Sequence, residues 1–102
     1  MSVDVIVVGA RVAGAATGLL LARAGLRVLV VDQAHFPSDT LSSHQLQVTG
    51  VARLHRWGLL DRLLATGVPP TRRIRFHAVG GAVIDSHPPT VNGVDMMISP
   101  RR

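Results

Sequence analysis

The first 32 residues confine what this chain can fold into. Val3 to Val8 reads V-D-V-I-V-V, a β-branched run bounded by Gly9, as expected of a strand buried on both faces of a parallel sheet. The segment Gly9-Ala10-Arg11-Val12-Ala13-Gly14 follows, and Ala15 to Ala24 is then rich in Ala and Leu, with Gly25 as a C-terminal stop. Arg27-Val28-Leu29-Val30-Val31 is a second apolar run of β type, ending at Asp32. Strand, glycine turn, helix, strand and acid in that order spell a βαβ unit, because parallel strands must be joined by a crossover. The expected fold class is α/β.

The glycines of this opening have separate physical tasks. In a Rossmann-like dinucleotide fingerprint one glycine allows a tight turn, a second lets the backbone approach the pyrophosphate, and a third lets helix pack closely on strand. Gly9 stands at the turn and Gly14 at the packing position, whereas Arg11 occupies the middle place. A Cβ there is expected to hold the backbone farther from a phosphate, and a guanidinium can offset this by charge-assisted hydrogen bonds to the same anion. The helix beginning near Val12 aims its free N–H groups and the positive end of its dipole at that spot. Asp32 lies 18 residues beyond Gly14, close to the ~20 expected of an acid that binds a ribose hydroxyl. The competing reading makes Gly9 and Gly14 ordinary turn and packing glycines of another α/β protein, with Asp32 a loop acid.

Beyond Asp32 the pattern loosens. His35 to His44 reads H-F-P-S-D-T-L-S-S-H, a polar, turn-prone loop leaving the second strand on the side where parallel sheets bind ligands. Ser42, Ser43 and His44 are candidates for contact with a phosphate, a ribityl chain or a flavin edge, while Ser38, Asp39 and Thr40 read as local turn formers. Val48, Val51, Leu54 and Trp57 recur at helical spacing, and Leu59, Leu60, Leu63 and Leu64 repeat the pattern, giving two short amphipathic helices. After Pro69 and Pro70 the period becomes two: Ile74, Phe76 and Ala78 alternate with Arg73, Arg75 and His77. Gly80-Gly81 then turns the chain into Ala82-Val83-Ile84, so an antiparallel hairpin is expected over 71–87.

Composition excludes several classes. The 102 residues are 47% hydrophobic and 17% charged, without Cys. A chain of this length buries roughly 60 to 70% of its unfolded surface, enough for one modest core, so a single domain over 1–102 is expected. The formal charge of +5 comes from eleven basic residues, all arginine, spread in small groups. Without a long basic run, and with only three aromatic residues to stack bases, nucleic acid is not an expected partner. The apolar run Val12 to Ala22 is shorter than the ~20 residues of a membrane span, and no signal peptide opens the chain, so a cytoplasmic location is expected. His77 and His87 lack partners at metal-ligand spacing, and no metal is expected.

With these residues in view, the chain resembles the N-terminal part of FAD-dependent oxidoreductases of the flavoprotein monooxygenase and geranylgeranyl reductase superfamily. The matching stretches are V-I-V-V-G-A-R-V-A-G-A, V-L-V-V-D, F-P-S-D-T-L-S-S-H and V-A-R-L-H-R-W-G-L-L-D-R-L-L-A-T-G, in that order. The resemblance implies FAD as cofactor and an organic small-molecule substrate in the intact enzyme. It places Gly9, Ala10, Arg11, Val12, Ala13 and Gly14 along the FAD pyrophosphate, Asp32 and Gln33 at the adenosine end, Ser42 to His44 near the flavin, and Arg102 at a helix start that contacts FAD. Many relatives carry Arg where Gln33 stands. The Gly-Asp segment and substrate-binding sheet of such enzymes have no counterpart here. This chain is therefore expected to be an FAD-binding portion, incompetent in catalysis alone, to be completed by a C-terminal portion or a second copy. No catalytic residue is assigned.

Two other functions fit the opening residues. An NAD(P)-dependent dehydrogenase domain predicts further βα repeats after Asp32, where this chain has two short helices and a hairpin. A non-enzymatic nucleotide-binding or dimerisation module predicts association through an incomplete sheet edge.

Overall fold

The computed structural model describes residues 2–38 and 45–100. Helix and strand are mixed along the chain, consistent with the α/β class. Contacts divide it into two compact units, Met1–Thr40 and Leu41–Arg102.

The first unit is built on strand β1 (Val5–Val8), helix α1 (Val12–Arg23) and strand β2 (Val28–Val31). The two strands pair in parallel, Val5 with Val28 through Val8 with Val31, and α1 is the crossover between them. Alternation sorts the side chains by face. Val7, Val28 and Val30 face α1, within reach of Gly14 and Gly18, and Gly18 is buried where the helix meets β2. Ile6, Val8, Leu29 and Val31 lie on the opposite face and are exposed, Val8 by 83%.

Both ends of α1 follow from local chemistry. The Gly25 N–H bonds the Ala22 carbonyl and the Leu26 N–H bonds that of Leu21, a Schellman closure that needs the left-handed φ of +91° which Gly25 supplies. Just beyond it, Arg27 returns to the start of the sheet. Its Nε and Nη2 donate to Asp4 at 3.2 and 3.0 Å, its backbone N–H donates to the same carboxylate at 2.8 Å, and Nη1 donates to Ser2. The Arg27 side chain holds the Asp4 carboxyl below its ordinary value, its backbone N–H adding to the effect.

The second unit has its own core. Helix α2 (Val48–Arg56) buries Val48, Val51 and Ala52, the three-and-four spacing of an amphipathic helix. They pack with Leu60 of helix α3 (Leu60–Leu64), Val68, Val94 and Ile98, and Ile98 is wholly buried. Short strands β3 (Pro70–Thr71) and β6 (Met97–Ile98) pair antiparallel, while Leu46 and Ile98 exchange backbone hydrogen bonds at 2.8 and 3.2 Å. Strands β4 (Ile74–His77) and β5 (Val83–Ser86) form an antiparallel hairpin, with Phe76 opposite Ile84 and Arg75 opposite Asp85. Arg73 grips Asp85 through both carboxylate oxygens at 2.9 and 2.8 Å, and Arg75 reaches the same group at 3.4 Å. Trp57 is half-buried and is not one of the residues of this core. Among the described residues no helix is long and apolar enough to cross a membrane.

Candidate functional site

The site lies in the first unit, at the C-terminal ends of β1 and β2. At Gly9 the chain leaves β1 with φ at +105°, a left-handed conformation that a side chain would strain, while the Gly9 N–H still donates to the Val31 carbonyl at 2.7 Å. Gly14 serves a different purpose. A Cβ added there would overlap the carbonyl oxygen of Gly9 and lie 2.8 Å from its carbonyl carbon, so only glycine lets α1 press this closely on the turn.

Arg11, in the middle position, has φ −81° and ψ −163°, extended backbone open to any residue. The conformation here makes no demand for glycine. Arg11 is the N-cap of α1 but makes no side-chain cap, and the first turn contains no acidic residue. The N–H groups of Val12, Ala13 and Gly14 lack i−4 partners by position, so the positive end of the helix is left without a carboxylate of its own.

Asp32 closes the arrangement. Its Oδ2 accepts the Ala10 N–H at 2.8 Å and its Oδ1 accepts the Ala34 N–H at 2.7 Å. The Ala10 bond, then the Ala34 bond, holds the carboxyl below its ordinary value of 3.8; partial burial opposes this, and the Arg11 charge adds a smaller pull downward. Asp32 is thus an anion at neutral pH, with one hydrogen bond on each oxygen and lone pairs left to accept others.

A cavity of about 530 Å³ opens between these groups, lined by Val8, Gly9, Arg11, Asp32, Gln33, Ala34 and Ser38. That volume lies within the usual range of small-molecule sites. The structure therefore brings Gly9, Arg11, Asp32 and Gln33 to one cavity, with Ala10 bonded to its acid and Gly14 setting the turn behind it. Val12 is 75% exposed, and Ala13 is exposed beside it at the start of α1. Ser42, Ser43, His44 and Arg102 lie outside the described residues.

Val8, Ala34, Ser38 and Phe36 were not singled out as site residues by sequence reasoning. Ser38 reads as a turn former, yet its hydroxyl and carbonyl accept hydrogen bonds from Arg11 at 3.2 and 3.4 Å, and the Arg11 guanidinium carbon sits 5.3 Å from the centre of the Phe36 ring. The available signal was position: Ala34, Phe36 and Ser38 follow closely on β2 and Asp32, and Val8 is the last residue of β1 before the glycine turn.

For FAD, the fit rests on the chemistry of these donors. A strand-end carboxylate can accept ribose hydroxyls, the uncapped helix start offers N–H groups to phosphate, and glycine at position 14 lets that helix start pack directly against the Gly9 turn.

Fold and site together define an α/β protein with a cavity suited to a nucleotide. More narrowly, the chain belongs to the FAD binding domain family, which it matches over residues 2–98, and its cofactor is FAD. Over 82 residues, 80% of this chain, it is 44% identical to the menaquinone reductase of Mycobacterium tuberculosis (strain CDC 1551 / Oshkosh), and equally to that of strain ATCC 25618 / H37Rv. It is 42% identical over 76 residues, 74% of this chain, to the menaquinone reductase of Mycolicibacterium smegmatis (strain ATCC 700084 / mc(2)155). The matched stretch covers only 20% of the first two relatives and 17% of the third.

Proposed function

We propose that this chain is the Rossmann-like, FAD-binding portion of an FAD-dependent oxidoreductase, and that the Asp32 cavity receives the adenosine end of the cofactor. The observation carrying this reading is the convergence of the glycine turn, the uncapped start of α1 and the ionised Asp32 on one cavity, in a chain of the FAD binding domain family. Asp32 accepts hydrogen bonds from the ribose hydroxyls through its remaining lone pairs, and Gln33 flanks the adenine side. The backbone from Gly9 to Gly14, including Ala10, Val12 and Ala13, runs along the pyrophosphate. Ser42, Ser43 and His44 remain proposed contacts on the flavin side, and Arg102 a proposed contact from a following helix.

Flavin, when bound, supplies the electron transfer, and the residues of this chain bind and orient it. Between reduction and hydroxylation, the likeness to proteins named menaquinone reductase favours a reductase acting on a lipid quinone or its isoprenoid chain. Substrate binding and turnover then require protein beyond these residues, and this portion alone is inactive in catalysis. A cytoplasmic location suits that role.

Calorimetric titration of the purified chain with FAD and with NAD tests the reading. Saturable FAD binding with weaker or no NAD binding is expected. Saturable NAD binding without FAD binding would overturn the cofactor placement.

A further inference from the structure

Arg11 stands where the dinucleotide fingerprint has its middle glycine, and its charge invites the role of direct phosphate ligand. Its side chain is engaged elsewhere. Nη1 and Nη2 both donate to Ser38, at 3.4 Å to the carbonyl and 3.2 Å to Oγ, and the guanidinium lies over the Phe36 ring at 5.3 Å. These contacts join the start of α1 to the segment that follows β2, across 27 positions of sequence. Arg11 and Ser38 are also both wall residues of the Asp32 cavity, as are Gln33 and Ala34. The planar guanidinium suits this task better than an ammonium, since it stacks on the ring and donates in a fixed fork at the same time.

We infer that Arg11 is a positioning residue for the nucleotide: its side chain clamps the Phe36–Ser38 segment against the start of α1 and so holds the outer wall of the Asp32 cavity. This rests on the proposal that the cavity takes the adenosine end of FAD. The clamp acts on the part of the ligand next to Asp32, and its benefit does not depend on the ligand carrying phosphate.

That distinction supplies the test. The full chain, labelled with ¹⁵N, is titrated with adenosine and with ADP while the Ala10 and Ala34 amide signals are followed. R11A is expected to weaken both ligands by one common factor of about three to ten, the size of an exposed cation–π contact with a long, solvent-exposed hydrogen bond. F36L, with Arg11 intact, weakens both in the same direction, R11K fails to restore the loss, and F36Y retains wild-type affinity. In the ligand-free protein the Arg11 Nε–H signal is shifted upfield by the Phe36 ring, and this shift vanishes in F36L. Loss of ADP affinity in R11A with adenosine affinity unchanged would overturn the inference in favour of a direct phosphate contact, leaving the cofactor reading intact. An unchanged Nε–H signal in F36L would overturn the clamp itself. Failure of the wild-type chain to bind either ligand would overturn both this inference and the reading beneath it.

Discussion

The Oδ2 atom of Asp32 accepts the backbone N–H of Ala10 at 2.8 Å, tying the end of β2 to the turn that follows β1 across 22 positions of sequence. The other oxygen bonds Ala34, so one carboxylate organises both sides of the cavity mouth. An Asn at this position can accept through only one of its two terminal atoms, and its NH₂ group would face a backbone donor. Asp32→Asn and Asp32→Ala are each expected to lower FAD affinity about ten- to hundredfold, the worth of hydrogen bonds to a charged group. Isothermal titration checks this, and unchanged affinity in Asp32→Ala would remove Asp32 from the site.

Two glycines of α1 give opposite expectations. At Gly14 an added methyl meets the Gly9 backbone, which cannot move without distorting the turn. At Gly18 it meets a Val30 methyl at 2.9 Å, and a small shift of the helix relieves it. Alanine gains about 1 kcal/mol over glycine in helix propensity at either position. Gly14→Ala is therefore expected to destabilise by about 1 to 2 kcal/mol net, and Gly18→Ala to stay within about 1 kcal/mol of the parent, on either side. Urea unfolding followed by circular dichroism distinguishes them.

The second unit depends on a few buried side chains. Ile98→Ala opens a cavity at a wholly buried position and is expected to cost about 2 to 5 kcal/mol. Phe76 of the hairpin is larger but 56% exposed, and Phe76→Ala is expected to cost less than about 1 kcal/mol despite the greater volume removed. A denaturant series on the two variants reads the difference directly.

Acid sensitivity follows from three carboxylates. Asp4, Asp32 and Asp85 are all held below their ordinary value of 3.8, chiefly by Arg27, by the Ala10 N–H and by Arg73 respectively. The unfolded chain therefore takes up protons first as pH falls. Stability from these groups is fully present above the unfolded value and is lost as pH falls through the lower folded values. Thermal midpoints are expected to be level from pH 8 to about 5 and to fall below about pH 4. FAD affinity follows the same course, and Asp32→Asn flattens its acid limb.

Much of this architecture was legible in residue order. The runs ending at Val8 and Val31 are the two parallel strands, and Val48, Val51 and Leu60 mark helices whose apolar faces form a core. Local pattern reveals such features because burial imposes a period on the sequence. The site was legible where chemistry depends on backbone geometry, at Gly9 and Gly14, and where an acid ends a strand, at Asp32. The roles of Ser38 and Phe36 were not, because they arise from a contact with Arg11 that no local period encodes. At Arg11 itself the extended backbone makes no conformational demand for glycine, so a side chain stands in the middle of the turn without strain.

The proposed placement of the adenosine end of FAD in the cavity between Gly9, Asp32 and Ser38 has a direct readout. A ¹⁵N-labelled sample titrated with FAD tests it most directly. Saturable one-to-one binding is expected, with the largest amide shifts at Gly9 to Gly14 and at Asp32 to Ala34. Saturable binding that moves only amides of the second unit, or no binding by the full chain, would contradict that placement.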